Sequence, residues 1–154
     1  MIAVGQTVPD LRGVSTAGAV RLRDLRGRPV VVYFYPKDHT PGCTREAQEF
    51  RDLAAEFARH DAVVLGVSRD SLAAHESFRT KHKLTFALVS DPDEVWCKAF
   101  DVIREKVLYG RRHLGVVRST FLIGPDGRLR REWRGVKVPG HAAAVLAALT
   151  ESGA

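Results

Sequence analysis

The stretch Val30-Val31-Val32-Tyr33-Phe34-Tyr35-Pro36-Lys37-Asp38-His39-Thr40-Pro41-Gly42-Cys43 decides the fold. Its first six residues are β-branched or aromatic without interruption. Such a run reads as a strand buried on both faces, as in the middle of an α/β sheet. Pro36 ends it, because proline has no amide to donate to a sheet. Residues 42–58 then place apolar side chains at Ala47, Phe50, Leu53, Ala54 and Phe57, the stripe of an amphipathic helix. Cys43 therefore falls in the first turn of a helix that follows a buried strand.

Outward from this unit the pattern repeats. Ala62 to Val67 reads as a second buried strand, Leu72 to Lys83 as a helix, Phe86 to Val89 as a short strand and Val95 to Phe100 as a short helix. Val116 to Ile123 reads as one long strand, and Pro125-Asp126-Gly127-Arg128 as a turn into a strand over Leu129–Trp133. Gly140 to Thr150 closes the chain as an Ala/Leu helix. Residues 1–29 hold turn signals around a short alternating stretch, Val20-Arg21-Leu22. The alternation predicts an α/β fold with a mixed central sheet and helices on both faces, in an order that fits a thioredoxin-like layout. Fold alone assigns no function.

The length, 154 residues, predicts one domain over 1–154 that buries a core without disulfides or a structural metal. Two cysteines, Cys43 and Cys97, are too few for a secreted disulfide scaffold. The start lacks the basic and long apolar segments of a signal peptide, and no apolar run approaches the roughly 18–20 residues of a membrane helix. These features predict a cytoplasmic protein. The net charge of +6 lies wholly in residues 104–154, with 10 basic and 4 acidic side chains. Their scattered spacing and the lack of a binding motif argue for a solvated face rather than nucleic-acid binding.

The chemistry concentrates between Pro36 and Glu46. Ligand sites of open α/β sheets lie at the carboxyl ends of strands, where this loop must be. Unpaired amides and the helix dipole at a helix start stabilise a thiolate. Pro36 and Pro41 stiffen the approach, and Thr40 presents a hydroxyl to the same pocket. Arg118 stands out independently as a guanidinium inside an apolar strand, costly unless an anion or several acceptors satisfy it. A thiolate at a neighbouring helix start is a suitable partner. Glu46, three residues after Cys43, either orients Arg118 or is simply a favourable first-turn acid.

Pro36-xxx-Thr40-xx-Cys43 matches the active-site signature of the peroxiredoxins, and YFYPKDHTPGCTREA resembles the peroxiredoxin Q subfamily, also called bacterioferritin comigratory protein. VPD near the start, RDLRGRPVVVYFYP before the site and EKVLYGRRHLGVVRSTFLIGPDGRL after it agree, so the resemblance spans nearly the whole chain. It implies a thiol-dependent peroxidase for hydrogen peroxide and organic hydroperoxides. Cys43 would be the peroxidatic cysteine, Thr40 and Pro36 would complete its pocket with Gly42 in support, and the family's catalytic arginine falls on Arg118. No metal or organic cofactor is implied.

The chain also departs from its relatives. Many place a resolving cysteine five residues after the peroxidatic one, where this chain has Gln48, and others place it on the following helix, where 71–83 has none. Cys97, among apolar neighbours, is the one remaining resolver, although a packed core thiol is the preferred reading for it. The expectation is a one-cysteine peroxiredoxin, a monomer or weak dimer, recycled by an external thiol such as thioredoxin, a glutaredoxin or a low-molecular-weight thiol. The rival within enzymes, a disulfide oxidoreductase, lacks its Cys-x-x-Cys motif. The rival outside them is a redox-sensing module, in which oxidation of Cys43 changes partner contacts without turnover. His39 reads as a rim residue of the active loop. His75 and His82, seven apart, do not have metal-pair spacing.

Overall fold

The computed structural model describes residues 2–151; residue 1 and residues 152–154, the ends of the expected domain, lie outside the described residues. A hairpin of β1 (Arg12–Ser15) and β2 (Gly18–Arg21) and a 3-10 turn over Leu22–Leu25 lead into β3 (Val30–Phe34). The chain continues through α1 (Pro41–Asp52), α2 (Ala54–Arg59), β4 (Val63–Ser68), α3 (Leu72–His82), β5 (Ala87–Ser90) and α4 (Val95–Ala99). A second hairpin, β6 (Ile103–Leu108) with β7 (Arg111–Val116), precedes β8 (Ser119–Ile123), β9 (Leu129–Arg134) and α5 (His141–Glu151). Seven strands form one mixed sheet in the order β2-β1-β5-β4-β3-β8-β9, while β6 and β7 pair only with each other.

β3 occupies the middle as its composition requires. All five residues are buried, with β4 parallel on one side and β8 antiparallel on the other. Because side chains alternate along a strand, Val30, Val32 and Phe34 enter one core with Trp96, Cys97 and Phe121. Val31, Tyr33 and Tyr35 enter the other core with Cys43, Phe50, Phe57, Phe78 and Val145. Helices α1, α2, α3 and α5 thus cover one face and α4 the other. Full burial of such side chains stabilises the fold by roughly 1.5–3 kcal/mol each.

Three elements differ from the expectation. The stripe over 42–58 is carried by two helices. The chain leaves helical geometry at Leu53 (ψ 9°), whose amide bonds back to Phe50 in a tight turn. This keeps Phe57 on the core, 5.9 Å from Phe50 between ring centroids. The segment 103–116 is a hairpin with Tyr109 and Gly110 both at positive φ, 52° and 76°, at its tip. Two left-handed residues match the type I′ hairpin turn, but Tyr-Gly is not a usual signature for it and charged side chains hide the alternation. The strand expected over Val116–Ile123 is broken. β7 ends at Val116, paired with Ile103, and β8 begins at Ser119, paired with Phe34. Val117 and Arg118 are the two residues in which the chain changes partners, and the pair Val116-Val117 masks the break.

Gly66 shows how closely the core on the α1 side is packed. A Cβ there would stand 2.8 Å from Leu88 Cδ2 and 2.9 Å from the Tyr33 hydroxyl, both buried. Gly66→Ala should therefore destabilise the fold by about 1–3 kcal/mol, measured as a lower midpoint in urea unfolding with an unchanged slope.

Candidate active site

The α1 side of the sheet brings the chemistry-bearing residues together at the carboxyl end of β3. The chain turns at Pro36, and Thr40 takes the extended N-cap conformation (φ −92°, ψ 152°) with Pro41 in the first turn. Thr40 does not cap the helix with its side chain. Its hydroxyl donates to the Lys37 carbonyl at 2.7 Å instead, and its carbonyl accepts from the Thr44 amide at 2.9 Å. The amides of Gly42 and Cys43 consequently have no partner among the described residues. No acidic residue stands in the first turn to compete for that positive end of the helix.

Arg118 reaches this helix start from the opposite side, out of the break between β7 and β8. Its Nη2 lies 3.4 Å from Cys43 Sγ and its Nη1 donates to Glu46 Oε1 at 2.6 Å. The Cys43 residue is 2% exposed, Glu46 1%, and the Arg118 side chain 16%. Gly42 matters for the same contact, because a Cβ there would stand 3.2 Å from Arg118 Nη2. The guanidinium lies over the first turn only because that turn has no side chain at Gly42. Arg118, expected within a strand, lies instead in the link between β7 and β8. The break answers the same electrostatic need, since a two-residue link can turn a cation toward the helix start that an in-register strand residue would send into the core.

Burial pushes the Glu46 carboxyl up to about 7 against the opposing pull of Arg118. Its Oε2 has no hydrogen-bond partner among the described residues. Burial alone would depress Arg118, but Glu46 and Cys43 outweigh it and raise its pKa. Glu46 thus holds the Arg118 guanidinium by a hydrogen bond, and it stands in the second turn of α1 rather than the first turn expected for a helix-start acid. Tyr33, with a buried and likewise unpartnered hydroxyl, is pushed up by burial, then by Glu46 and Cys43. Lys106 is a further neighbour that sequence reasoning missed. Its Nζ donates to the Val116 carbonyl at 2.7 Å, and its stem crosses Gly115, where a Cβ would stand 2.9 Å from Lys106 Cδ. Burial first, then Arg118 and Arg69, depress its pKa. Only a strand pairing of Lys106 with His113 reveals this placement.

Cys97 lies elsewhere. It is 0% exposed, packed with Val32, Phe34 and Val89 in the core on the α4 side, so the sheet stands between it and Cys43. Both cysteines are free. Burial and a hydrogen bond to Asp91 push the Cys97 thiol well up. Its amide donates to the same carboxylate at 2.9 Å. Pro36 is half-buried at the mouth of the loop, and His39 is exposed with its ring edge-on to Phe78 at 5.2 Å. No helix among the described residues is long and apolar enough to cross a membrane.

The profile of the AhpC/TSA family matches residues 4–132. Peroxiredoxin Bcp of Xanthomonas campestris is 56% identical over 128 residues, covering 83% of this chain and 80% of that protein. Peroxiredoxin Bcp of Bacillus subtilis is 48% identical over 151 residues, covering 97% and 96%. The solved structure of the Xanthomonas campestris bacterioferritin comigratory protein, studied for its alkyl peroxide reduction activity, superposes with a TM-score of 0.92 at 47% identity, covering 100% of this chain and 99% of that one. A thioredoxin-like mixed sheet, a cysteine at an uncapped helix start and an arginine on its sulfur occur here in a chain that matches these proteins nearly end to end. The chain belongs to the AhpC/TSA family and is a peroxiredoxin.

Proposed function

We propose that Cys43 is the peroxidatic sulfur of this thiol-dependent peroxidase, and that Arg118, Thr40 and the amides of Gly42 and Cys43 bind the peroxide. The observation that carries this reading is the 3.4 Å contact of Arg118 with Cys43 Sγ beside unpartnered first-turn amides. The thiolate attacks one oxygen of ROOH. A sulfur–oxygen bond forms, the O–O bond breaks, and RO⁻ leaves and takes up a proton, while Cys43 becomes a sulfenic acid. Arg118 and the amides face the place where the leaving oxygen gains charge, and such preorganised donors stabilise the transition state more than the ground state. The Thr40 proton is committed to the Lys37 carbonyl. Its oxygen is thus left to accept a hydrogen bond from the peroxide O–H and hold that oxygen, the one the sulfur attacks, toward Cys43. Pro36 holds the loop entry, and Gly42 leaves room for the guanidinium.

The substrates we assign are hydrogen peroxide and organic hydroperoxides, by analogy with the alkyl peroxide reduction of the Xanthomonas relative. Recycling uses an external thiol, whether thioredoxin, a glutaredoxin or a low-molecular-weight thiol. One thiol condenses with the sulfenic acid to a mixed disulfide and water, and a second releases Cys43. The position of Cys97 across the sheet supports the one-cysteine reading. Two buried free thiols fit a reducing, cytoplasmic setting. Of the large exposed apolar side chains, Val107, Tyr109 and Leu114 share the β6–β7 hairpin while Val4, Val14 and Val95 stand on other segments, a small patch that supports a monomer or weak dimer.

Cys43→Ser should abolish peroxide consumption in a steady-state assay with a thiol reductant, and normal turnover in that variant would falsify the assignment. Arg118→Ala should lower kcat/KM for peroxide by about 10²–10³-fold, the usual effect of losing one preorganised donor.

Glu46 gives a pH prediction. Its folded pKa of about 7 exceeds the ordinary 4.5, so its contribution to stability is fully present below about pH 4.5 and lost as pH rises through about 7. His141, depressed to about 4 by burial, acts in the opposite sense, its contribution being lost as pH falls. The relevant quantity is therefore the difference between wild type and Glu46→Gln. Urea unfolding at pH 4.5 and pH 8 should show that difference moving against the wild type by roughly 2–3 kcal/mol as pH rises. A pH-independent difference would contradict the burial of an unsatisfied carboxylate.

A further inference from the structure

The peroxide step uses Arg118 and leaves a neighbouring cation, Lys106, without a task. Lys106 stands on β6 opposite His113, and its side chain runs back over Gly115. Its Nζ donates to the Val116 carbonyl at 2.7 Å. Val116 is the last residue of β7, immediately before the two-residue link that carries Arg118. An ammonium has three protons to donate, so one is committed to the strand end and two are left. Lys106 is half-buried there, at a cost in solvation and side-chain freedom.

The charges around it set Lys106 apart. Arg118 is paired with Glu46 at 2.6 Å. Arg69 reaches the same hairpin, donating to the Leu114 carbonyl at 3.2 Å, and is paired with Glu94 at 2.9 Å. Glu105 lies on the other face of the hairpin, because side chains alternate along a strand, and it pairs with Arg112 at 3.3 Å. Among the described residues no acid pairs with Lys106. Burial, Arg118 and Arg69 all disfavour its charge, and the Cys43 sulfur favours it. Lys106 is thus a cation within electrostatic reach of the reacting sulfur, and the thiolate of Cys43 is the anion it senses. Once Cys43 carries a hydroxyl as the sulfenic acid, that negative charge is gone. Arg118 still has Glu46, but Lys106 faces no anion.

The two reactants of the cycle meet this charge differently. Hydrogen peroxide is neutral and arrives while the sulfur is still anionic. The reducing thiol arrives afterwards, when Lys106 is unmatched. Cys43 is 2% exposed, which suits a small thiol. We propose that Lys106 is a specificity-determining residue for the recycling step, selecting low-molecular-weight thiols that carry a carboxylate. The proposal rests on the peroxidase reading. In the step it governs, the thiol sulfur attacks Cys43 Sγ, a sulfur–sulfur bond forms and the S–OH bond breaks. The hydroxide leaves with the thiol proton as water, so the thiol is oxidised and the sulfenic sulfur reduced. A second thiol releases Cys43–SH and forms RSSR. The carboxylate takes no part in these bonds; its ion pair with Lys106 holds the thiol beside the sulfur.

The test uses three thiols of different charge: 3-mercaptopropionate with a carboxylate, neutral 2-mercaptoethanol, and cysteamine with an ammonium. The protein is oxidised with one equivalent of hydrogen peroxide, and reduction of the sulfenic form is followed by stopped flow. Comparing variant with wild type for each thiol cancels its intrinsic nucleophilicity. Lys106→Met keeps the length of the stem. It should slow 3-mercaptopropionate relative to 2-mercaptoethanol by about three- to tenfold, the size expected of one partly buried ion pair, and favour cysteamine. Lys106→Arg should restore the wild-type order. Arg112→Met removes the same charge from the opposite face of the hairpin and should leave the order unchanged. In the unaltered protein the preference for the carboxylate thiol should shrink as salt is raised to roughly 0.5 M, a measurement that stands even if a variant does not fold. A lysine that only packs over Gly115 would change all three rates alike, and that outcome, or an equal effect of Arg112→Met, would overturn the proposal. A second arm compares oxidation by a carboxylate-bearing hydroperoxide with oxidation by its methyl ester. A loss there in Lys106→Met with the thiol order unchanged would overturn the thiol as the ligand in favour of the peroxide. Failure of wild-type Cys43 to form a sulfenic acid would instead overturn the peroxidase reading itself.

Discussion

The contact between the Arg118 guanidinium and the Cys43 sulfur joins the two halves of the site, and each surrounding feature serves it. A thiolate at a buried helix start needs positive charge close by, because desolvation otherwise disfavours the charged form. The helix supplies part of that charge through amides that no side chain caps. Arg118 supplies the rest, and a half-buried arginine in turn is held in place by an anion. Glu46 provides it at 2.6 Å, one turn along the same helix as Cys43. The three groups form a closed set, in which the arginine is held by the acid and offered to the sulfur. Gly42 leaves the space through which they meet.

The sheet separates the two thiols. β3 presents Tyr33 toward the Cys43 core and Val32 and Phe34 toward the Cys97 core. A disulfide needs Cα atoms within about 7 Å, and joining side chains packed on opposite faces of a central strand would require that layer to open. Cys97 is held as a core thiol by burial and by Asp91. On the proposed one-cysteine reading, the peroxide step and the recycling step both act on Cys43.

Much of this was legible in the sequence, and the reasons differ from element to element. β3 and the helix start at Cys43 were readable because an unbroken β-branched run, a proline and an apolar stripe each have few physical interpretations. Arg118 was readable because a cation among valines demands an anion. Its place in a break between strands was not, since the exchange of β6 for β3 as a pairing partner leaves no mark in Val116-Val117-Arg118-Ser119. The β6–β7 hairpin was hidden by its charges and by a Tyr-Gly tip, and Lys106 was hidden with it. The Pro36-xxx-Thr40-xx-Cys43 spacing carried the assignment further than periodicity alone could take it.

The most direct measurement of the central claim is the intact mass and free-thiol count after the reduced protein meets one equivalent of peroxide. A single reactive sulfur on one face of the sheet predicts a gain of one oxygen, trapped at Cys43 by a sulfenic-acid reagent, with the Cys97 thiol still free. Loss of two hydrogens and of both thiols without dimer formation would mean that Cys97 resolves Cys43, and would contradict the account.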